Sequence, residues 1–493
     1  MSIEKTLIVS IDLGTSSVKV EIYNEHGEKV MENKKELYEQ TISSWINTIK
    51  EAAPVEFLRS ARCRKIVSAA STSGTIIIVD KHGNPLINPI MYYEKDIEMY
   101  NKIKDLSSIK ELAELGVDFN PASPIPKILR LMENGLLKNA EWIVPPTTWI
   151  LYKLLYREGD TWREVEVDYT NALKFGADIT KETPDWFKPL FEELNIPLEK
   201  MPRIAECGNY IGLAESNFAR ELGLYGAEIY HGMTDGTASA LAGGAFKEGD
   251  LSIYGGTTVV PKYVTNTLKK HHAIYYHRHP IKGYLASAAT SFTGGFLSWF
   301  AEKLLGLTVE DLINYADNIE EINEIPLFMP PGDRSPFNDP QLKASILRLY
   351  PWDEPREKII GKFALSIMLG ITFLEYYYID LFEKLFNKPI KEVKLTGGTV
   401  KSKKWNLLRA SIYEKPVKIY SGEIGVGIVI PALLKSKIFK SIEEIESTLV
   451  IPRESINPDQ NLTNILRKDR DMFMARWKVL QKIYSESLSI NLL

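Results

Sequence analysis

One short stretch of this chain occurs twice. Ser10-Ile11-Asp12-Leu13-Gly14-Thr15-Ser16-Ser17-Val18 resembles Ser252-Ile253-Tyr254-Gly255-Gly256-Thr257-Thr258-Val259-Val260, about half the chain later. Each copy reads as a β-branched run, a glycine turn and a second β-branched run, which is a hairpin signature. With 493 residues, the chain is also too long for one compact core. Two similar hairpins, each opening one half, predict a duplicated α/β domain with a cleft between the copies. Gly-Thr turns are common enough to coincide by chance, so the duplication rests on what surrounds them. The copies differ at their most chemical position: Asp12 stands in the first where Tyr254 stands in the second.

Composition narrows the function classes. The chain is 44% hydrophobic and 25% charged with a net charge of −4. That excludes a strongly basic nucleic-acid binder and an acidic disordered chain. Cys63 and Cys207 cannot form a disulfide framework and lack metal-site spacing, which suits a reducing compartment. No apolar run approaches the ~20 residues of a membrane span, and Leu7–Ile11 is too short for an export signal. A cytoplasmic protein with neither nucleic-acid nor membrane partners is expected. Helical periodicity is expected over 125–137, 363–386 and 462–485, and short strands near 76–80 and 393–395.

Four glycine turns follow strands, at Gly14-Thr15-Ser16, Gly232–Gly236, Gly256-Thr257-Thr258 and Gly397-Gly398-Thr399. Turns of this type present backbone N–H groups and hydroxyls that bind phosphate without basic side chains. Asp12, heading the first turn, could hold Mg²⁺, which keeps much of its water shell. Asp235 precedes a small-residue helix and can be read as its N-cap. It can also be read as a general base, orienting a sugar hydroxyl for attack on a γ-phosphate. Gly397-Gly398, followed by Lys401-Ser402 and a helix through Leu407, would let a flat adenine lie on backbone; a plain strand-to-helix turn is the alternative.

Assembled in order, these residues resemble the FGGY carbohydrate kinases of the actin and sugar-kinase superfamily, over roughly Leu7 to Leu434. Asp12–Ser16 resembles the first phosphate motif, Asp235-Gly236 with Gly256-Thr257-Thr258 the second, and Gly397-Gly398 the adenosine motif. Ser123–Leu129 resembles the N-terminal signature around Pro126-Lys127. Pro330–Pro340 resembles a Gly-Glu-Arg-x-Pro segment. Thr72–Thr75, Met91-Tyr92, Asp168–Lys174, Tyr276–Arg278 and Ser291–Gly295 resemble kinases that act on D-ribulose.

The resemblance implies two related RNase H-like (actin-like ATPase) domains flanking an interdomain cleft. It implies a sugar-binding lobe over 1–244, a nucleotide-binding lobe over 245–445 and a helical tail over 446–493. Asp235 would be the catalytic base and, with Asp12, a metal-side carboxylate. Ser73, Tyr92, Glu94 and Asp235 would meet the sugar. Gly14, Thr15, Ser16, Lys19, Gly256, Thr257, Thr258, Gly397, Gly398 and Lys401 would meet ATP. The cofactors would be ATP and Mg²⁺, the partner a small sugar or polyol, and a homodimer stays open. The expected reaction is γ-phosphate transfer to a ketopentose, D-ribulose first, with D-xylulose, L-ribulose or a polyol as alternatives. A non-catalytic sugar sensor or an actin-like filament protein are the rivals of other classes. The departures fall on the sugar side. Glu94-Lys95-Asp96 lacks the family's arginine, Phe292 replaces an asparagine, Arg130 a tryptophan, and Leu369 a late-helix glutamate.

Overall fold

The computed structural model describes residues 6–485 apart from 115, 118, 292, 293 and 324. Phe292 therefore lies outside the described residues. The chain forms two units. The first takes the chain up to Ala242 together with Tyr276–Tyr284 and Glu423–Ile451; the second takes Gly243–Tyr275, Leu285–Gly422 and the chain from Pro452 on.

The first unit is built on β1 (Thr6–Leu13), β2 (Ser17–Asn24), β3 (Lys29–Glu36), β4 (Arg64–Ser71), β5 (Tyr210–Leu213), β6 (Glu228–Tyr230) and β7 (Met233–Thr234). The sheet runs β5-β6-β4-β1-β2-β3, with β7 also on β4. β1 is antiparallel to β2 and parallel to β4. It is covered on both faces, hence its near-continuous apolar sequence. Leu7, Val9, Ile11 and Leu13 join one core with Trp45 and Ile49 of α1 (Ile42–Ala52) and Trp149 and Ile150 of α3 (Pro146–Leu155). Between these helices in sequence lies α2 (Pro124–Glu133), and after them the single turn α4 (Tyr169–Ala172).

Strand alternation puts Ser10 and Asp12 on the opposite face, where α5 (Asp235–Ala242) and α9 (Ile424–Lys435) pack. Two glycines let α9 approach at backbone distance. A Cβ at Gly425 would lie 1.9 Å from Glu21 Oε2, and one at Gly427 1.9 Å from Ala238 O. The compact units run differently from the expected lobes: 276–284 and 423–451 lie with the first unit, and the chain from Pro452 on lies with the second.

The second unit repeats the same scaffold. β8 (Leu251–Gly255) is antiparallel to β9 (Val259–Thr265) and parallel to β11 (Val393–Thr396). β10 (Tyr284–Ser287), β12 (Val417–Ile419) and β13 (Glu454–Ile456) extend the order to β10-β9-β8-β11-β12-β13. Its helices include α6 (Val309–Asp317), α7 (Arg356–Phe386), α8 (Lys403–Tyr413) and α10 (Gln460–Ser485). α7, with 31 residues, is long and apolar enough to cross a membrane by composition, contrary to the expectation from strict apolar runs. In its most apolar 18-residue window 83% is buried within the protein, so it reads as a core helix.

Candidate active site

Parallel strands end at the same edge of a sheet, and that edge is where α/β proteins gather chemistry. Here Asp12 and Met233 both stand opposite Ala70, and Leu13 and Thr234 both stand opposite Ser71. Asp12, the turn after β4 carrying Ser73, and Asp235 therefore leave the sheet side by side.

Asp12 is held unlike an ordinary carboxylate. Its Oδ1 is sealed from solvent and has no hydrogen-bond partner. Burial first, then the charges of Asp235 and Glu21, push its pKa up to about 7; Lys19 and Lys34 oppose this only in part. A sealed oxygen lacking a donor suits a cation. Among the described residues no group of three or more His, Cys, Asp or Glu side chains gathers as a metal cage. Two neighbouring carboxylates fit Mg²⁺, which takes one or two protein oxygens and completes its shell with water and phosphate.

Asp235 is the first residue of α5 and not its N-cap, a correction to one of the two sequence readings. The hydroxyl of Thr234 takes the amide of Thr237 at 3.4 Å, while Asp235 Oδ1 accepts the neighbouring Gly236 N–H at 2.6 Å. Thr234 takes the capping position, and Asp235 behind it is half-buried.

The Gly14–Ser17 turn is braced from outside. Gly14 N–H donates to Ser17 O, Leu37 N–H to Ser16 O, and Gln40 Nε2 to Thr15 O. Lys19, expected on phosphate, pairs with Glu21 at 2.8 Å and Glu32 at 3.2 Å. It lies directly across the hairpin from Asp12 and acts on it as a fixed positive charge.

The expected sugar residues also come together. Ser73 Oγ is buried without a partner, and Lys174 Nζ donates to Ser73 O at 3.4 Å. Thr75 Oγ1 meets Thr72 Oγ1 at 3.0 Å and accepts the Tyr92 N–H at 3.2 Å. Glu94 takes the Met91 N–H at 2.7 Å, while buried Lys127 donates to Met91 O at 2.9 Å. Burial lowers the Lys127 pKa to about 8; Glu94 supports its charge and Lys174 works against it. Arg130, a departure from the family pattern, forks onto Asp96 at 2.9 and 3.2 Å.

Sequence reasoning assigned no role to Asp168, which the structure makes a hub. Fully buried at the N-cap of α4, it accepts from the Thr170 and Asn171 amides, Thr170 Oγ1 and Asn171 Nδ2. Thr170 Oγ1 in turn accepts the Thr234 N–H at 3.0 Å, fixing the residue before Asp235. The available signal was the Asp-x-Thr-Asn order, an Asx-type turn former.

The second unit holds a cavity of about 580 Å³ bordered by Tyr254, Gly256, Thr257, Gly398, Thr399, Lys401 and Trp405. That is the size of an ordinary small-ligand site. Three turns meet there at close range. A Cβ at Gly255 would lie 1.9 Å from Thr399 Oγ1, and one at Gly294 1.9 Å from Gly256 O. Gly397 has φ +92°, and a Cβ there would lie 2.3 Å from Gly255 O. Of the residues expected on ATP, Gly256, Thr257, Gly398 and Lys401 line this cavity. Gly397 shapes it, and Thr258 closes the turn through its carbonyl on Gly256 N–H. The first unit carries Gly14, Thr15 and Ser16.

The chain is similar to known proteins along its length. Residues 7–242 match the N-terminal domain of the FGGY family of carbohydrate kinases, and residues 251–429 match its C-terminal domain. A xylulose kinase of Staphylococcus epidermidis is 24% identical, over 99% of this chain and 99% of its own. The solved ligand-bound xylulose kinase of Lactobacillus acidophilus has a TM-score of 0.82 at 19% identity, covering 97% of this chain and 99% of that one. Plasmodium falciparum glycerol kinase, solved with ADP, reaches 0.82 at 19% identity, covering 98% and 99%. With both domains matched in order along the chain, the protein belongs to the FGGY family of carbohydrate kinases and is an ATP-dependent sugar kinase.

Proposed function

We propose that the acceptor is a five-carbon ketose and that Asp235 is the base that activates its terminal hydroxyl. The observation that carries this reading is the pair of carboxylates, Asp12 and Asp235, side by side at the ends of β1 and β7. Ser73, Tyr92 and Glu94 would orient the sugar. Asp235 would take the hydroxyl proton as that oxygen bonds to the γ-phosphorus and the bond to the β-phosphate oxygen breaks, releasing ADP. The nucleotide would occupy the cavity at Gly256, Thr257, Gly398 and Lys401. Asp12, with Asp235 beside it, would hold Mg²⁺, which when bound neutralises phosphate charge. A cytoplasmic setting, where ATP is available, goes with this reading.

Two ketopentoses compete. Full-length relatives named xylulose kinase favour D-xylulose. The Thr72–Thr75 and Asp168–Lys174 stretches, similar to kinases acting on D-ribulose, favour its C3 epimer. ADP release measured over a panel of ketoses and polyols decides between them, and a polyol preferred over every ketopentose would overturn the substrate class. Asp235→Asn should keep the fold and ADP binding and lower kcat by about 100-fold or more. Near-normal turnover in that variant would remove Asp235 from the role of base.

A further inference from the structure

Behind the cavity of the second unit lies a buried ion pair that no phosphate or sugar motif explains. Glu375 of α7 and Arg409 of α8 are 0% and 1% exposed. Arg409 Nε donates to Glu375 Oε2 at 3.0 Å and Nη2 to Oε1 at 2.8 Å; Tyr413 OH adds a bond to Oε2. Burial opposes the guanidinium charge, and the Glu375 carboxylate outweighs it, holding the Arg409 pKa above its usual value. A buried pair of this kind is weak evidence for stability, since apolar residues of similar volume often do as well.

The other side of the guanidinium faces the cavity wall. Nη1 donates to Thr399 O and Nη2 to Thr399 Oγ1, both at 3.1 Å. The same group lies over the Trp405 ring, 4.1 Å from its centroid. Trp405 Nε1 is tied to Thr372 Oγ1 at 2.9 Å, three residues before Glu375 on the same helix. Thr399 and Trp405 both line the cavity. One planar fork thus fixes a backbone carbonyl, a hydroxyl and an aromatic ring of one wall, a task for arginine that a lysine point charge cannot repeat.

We propose that Arg409, held by Glu375, is a positioning residue that sets the nucleotide wall of the cavity by clamping Thr399 and Trp405. This rests on the reading that the cavity takes the nucleotide, so the experiment separates the two. Steady-state kinetics would compare Arg409→Lys, the charge-free double variant Arg409→Met with Glu375→Gln, and Gly398→Leu. A Cβ at Gly398 meets no atom within 4 Å, so a leucine there starts into open space at the cavity lining.

Both Arg409 variants should raise the KM for MgATP about tenfold, with the sugar KM and kcat within about twofold of the parent. Gly398→Leu should raise the MgATP KM at least as much. If Gly398→Leu acts and the folded Arg409 variants do not, the clamp is overturned and the cavity reading stands. If Gly398→Leu has no effect on the MgATP KM, the cavity reading falls, and the clamp with it. Equal rises in both KM values, or loss of folded protein in both Arg409 variants, assign the pair to stability alone and overturn the proposal.

Discussion

The hairpins β1–β2 and β8–β9 occupy the same place in their sheets and are furnished with different side chains. In each, the first strand is antiparallel to its hairpin partner and parallel to a strand from later in the chain. Asp12 stands opposite Lys19 and Ala70; Tyr254 stands opposite Val260 and Thr396. At the first position the side chain is a carboxyl with a sealed oxygen and a pKa near 7. At the second it is a ring, 39% exposed at the rim of a cavity. One scaffold has been furnished with ionisable groups in one copy. In the other it carries close-packed glycine turns, backed by a buried ion pair. Chemistry and charge sensitivity should therefore concentrate in the first unit, and donor affinity in the second.

The sharpest way to break this contrast is to change the two equivalent positions separately. Asp12→Asn should lower kcat by about 100-fold or more, because the carboxylate proposed to hold Mg²⁺ is lost while the side chain's shape is kept. Tyr254→Phe should change kcat less than about threefold and act, if anywhere, on the KM for MgATP. Comparable kcat losses in both variants would mean that the duplicated positions share one function, and the division of labour would fail.

A smaller effect should come from the hub behind Asp235. Thr170→Val removes the oxygen that accepts the Thr234 N–H and leaves that amide buried without its acceptor. A kcat about tenfold lower, with the KM for MgATP within about twofold of the parent, is expected if the hub aims Asp235. A rise in the MgATP KM with kcat preserved would place Thr170 on the donor side instead.

What the sequence made legible follows from distance along the chain. Gly-Thr turns, Asp12, Asp235 and the Gly397-Gly398 pair are local patterns whose chemistry lies within a few residues, and strand register then brings them to one edge or one cavity. The resemblance lacked a glutamate at 369, yet a buried carboxylate stands six residues on, at 375, paired with an arginine 34 positions away. No periodicity announces such a pair. The helical period of α7 was legible over 363–386, but its overall apolarity was not, for a related reason. Lys362, Ser366, Thr372 and Glu375 interrupt its apolar run in sequence but are buried in the fold. The return of α9 to the first unit depends on Gly425 and Gly427 at contacts visible only in three dimensions.

The smallest expected effect tests charge sensitivity on the sugar side. Lys127 has a folded pKa of about 8 against an ordinary 10.5, with Glu94 supporting its charge and Lys174 opposing it. Below pH 8 the folded and unfolded chains both carry the proton, and the burial penalty is present in full. Between these values the folded chain has released the proton and the unfolded chain has not, so this group's contribution to stability improves as pH rises and is complete above 10.5. Lys127→Met removes the titration along with the bond to Met91 O, and the lost bond shifts stability by an amount that does not vary with pH. The melting temperature of the variant relative to the parent should therefore fall by about 1–2 °C between pH 7.5 and 10. A difference that stays flat across that range would show that the ammonium carries no burial penalty. The ionisable character of the first unit would then be confined to the strand-end carboxylates.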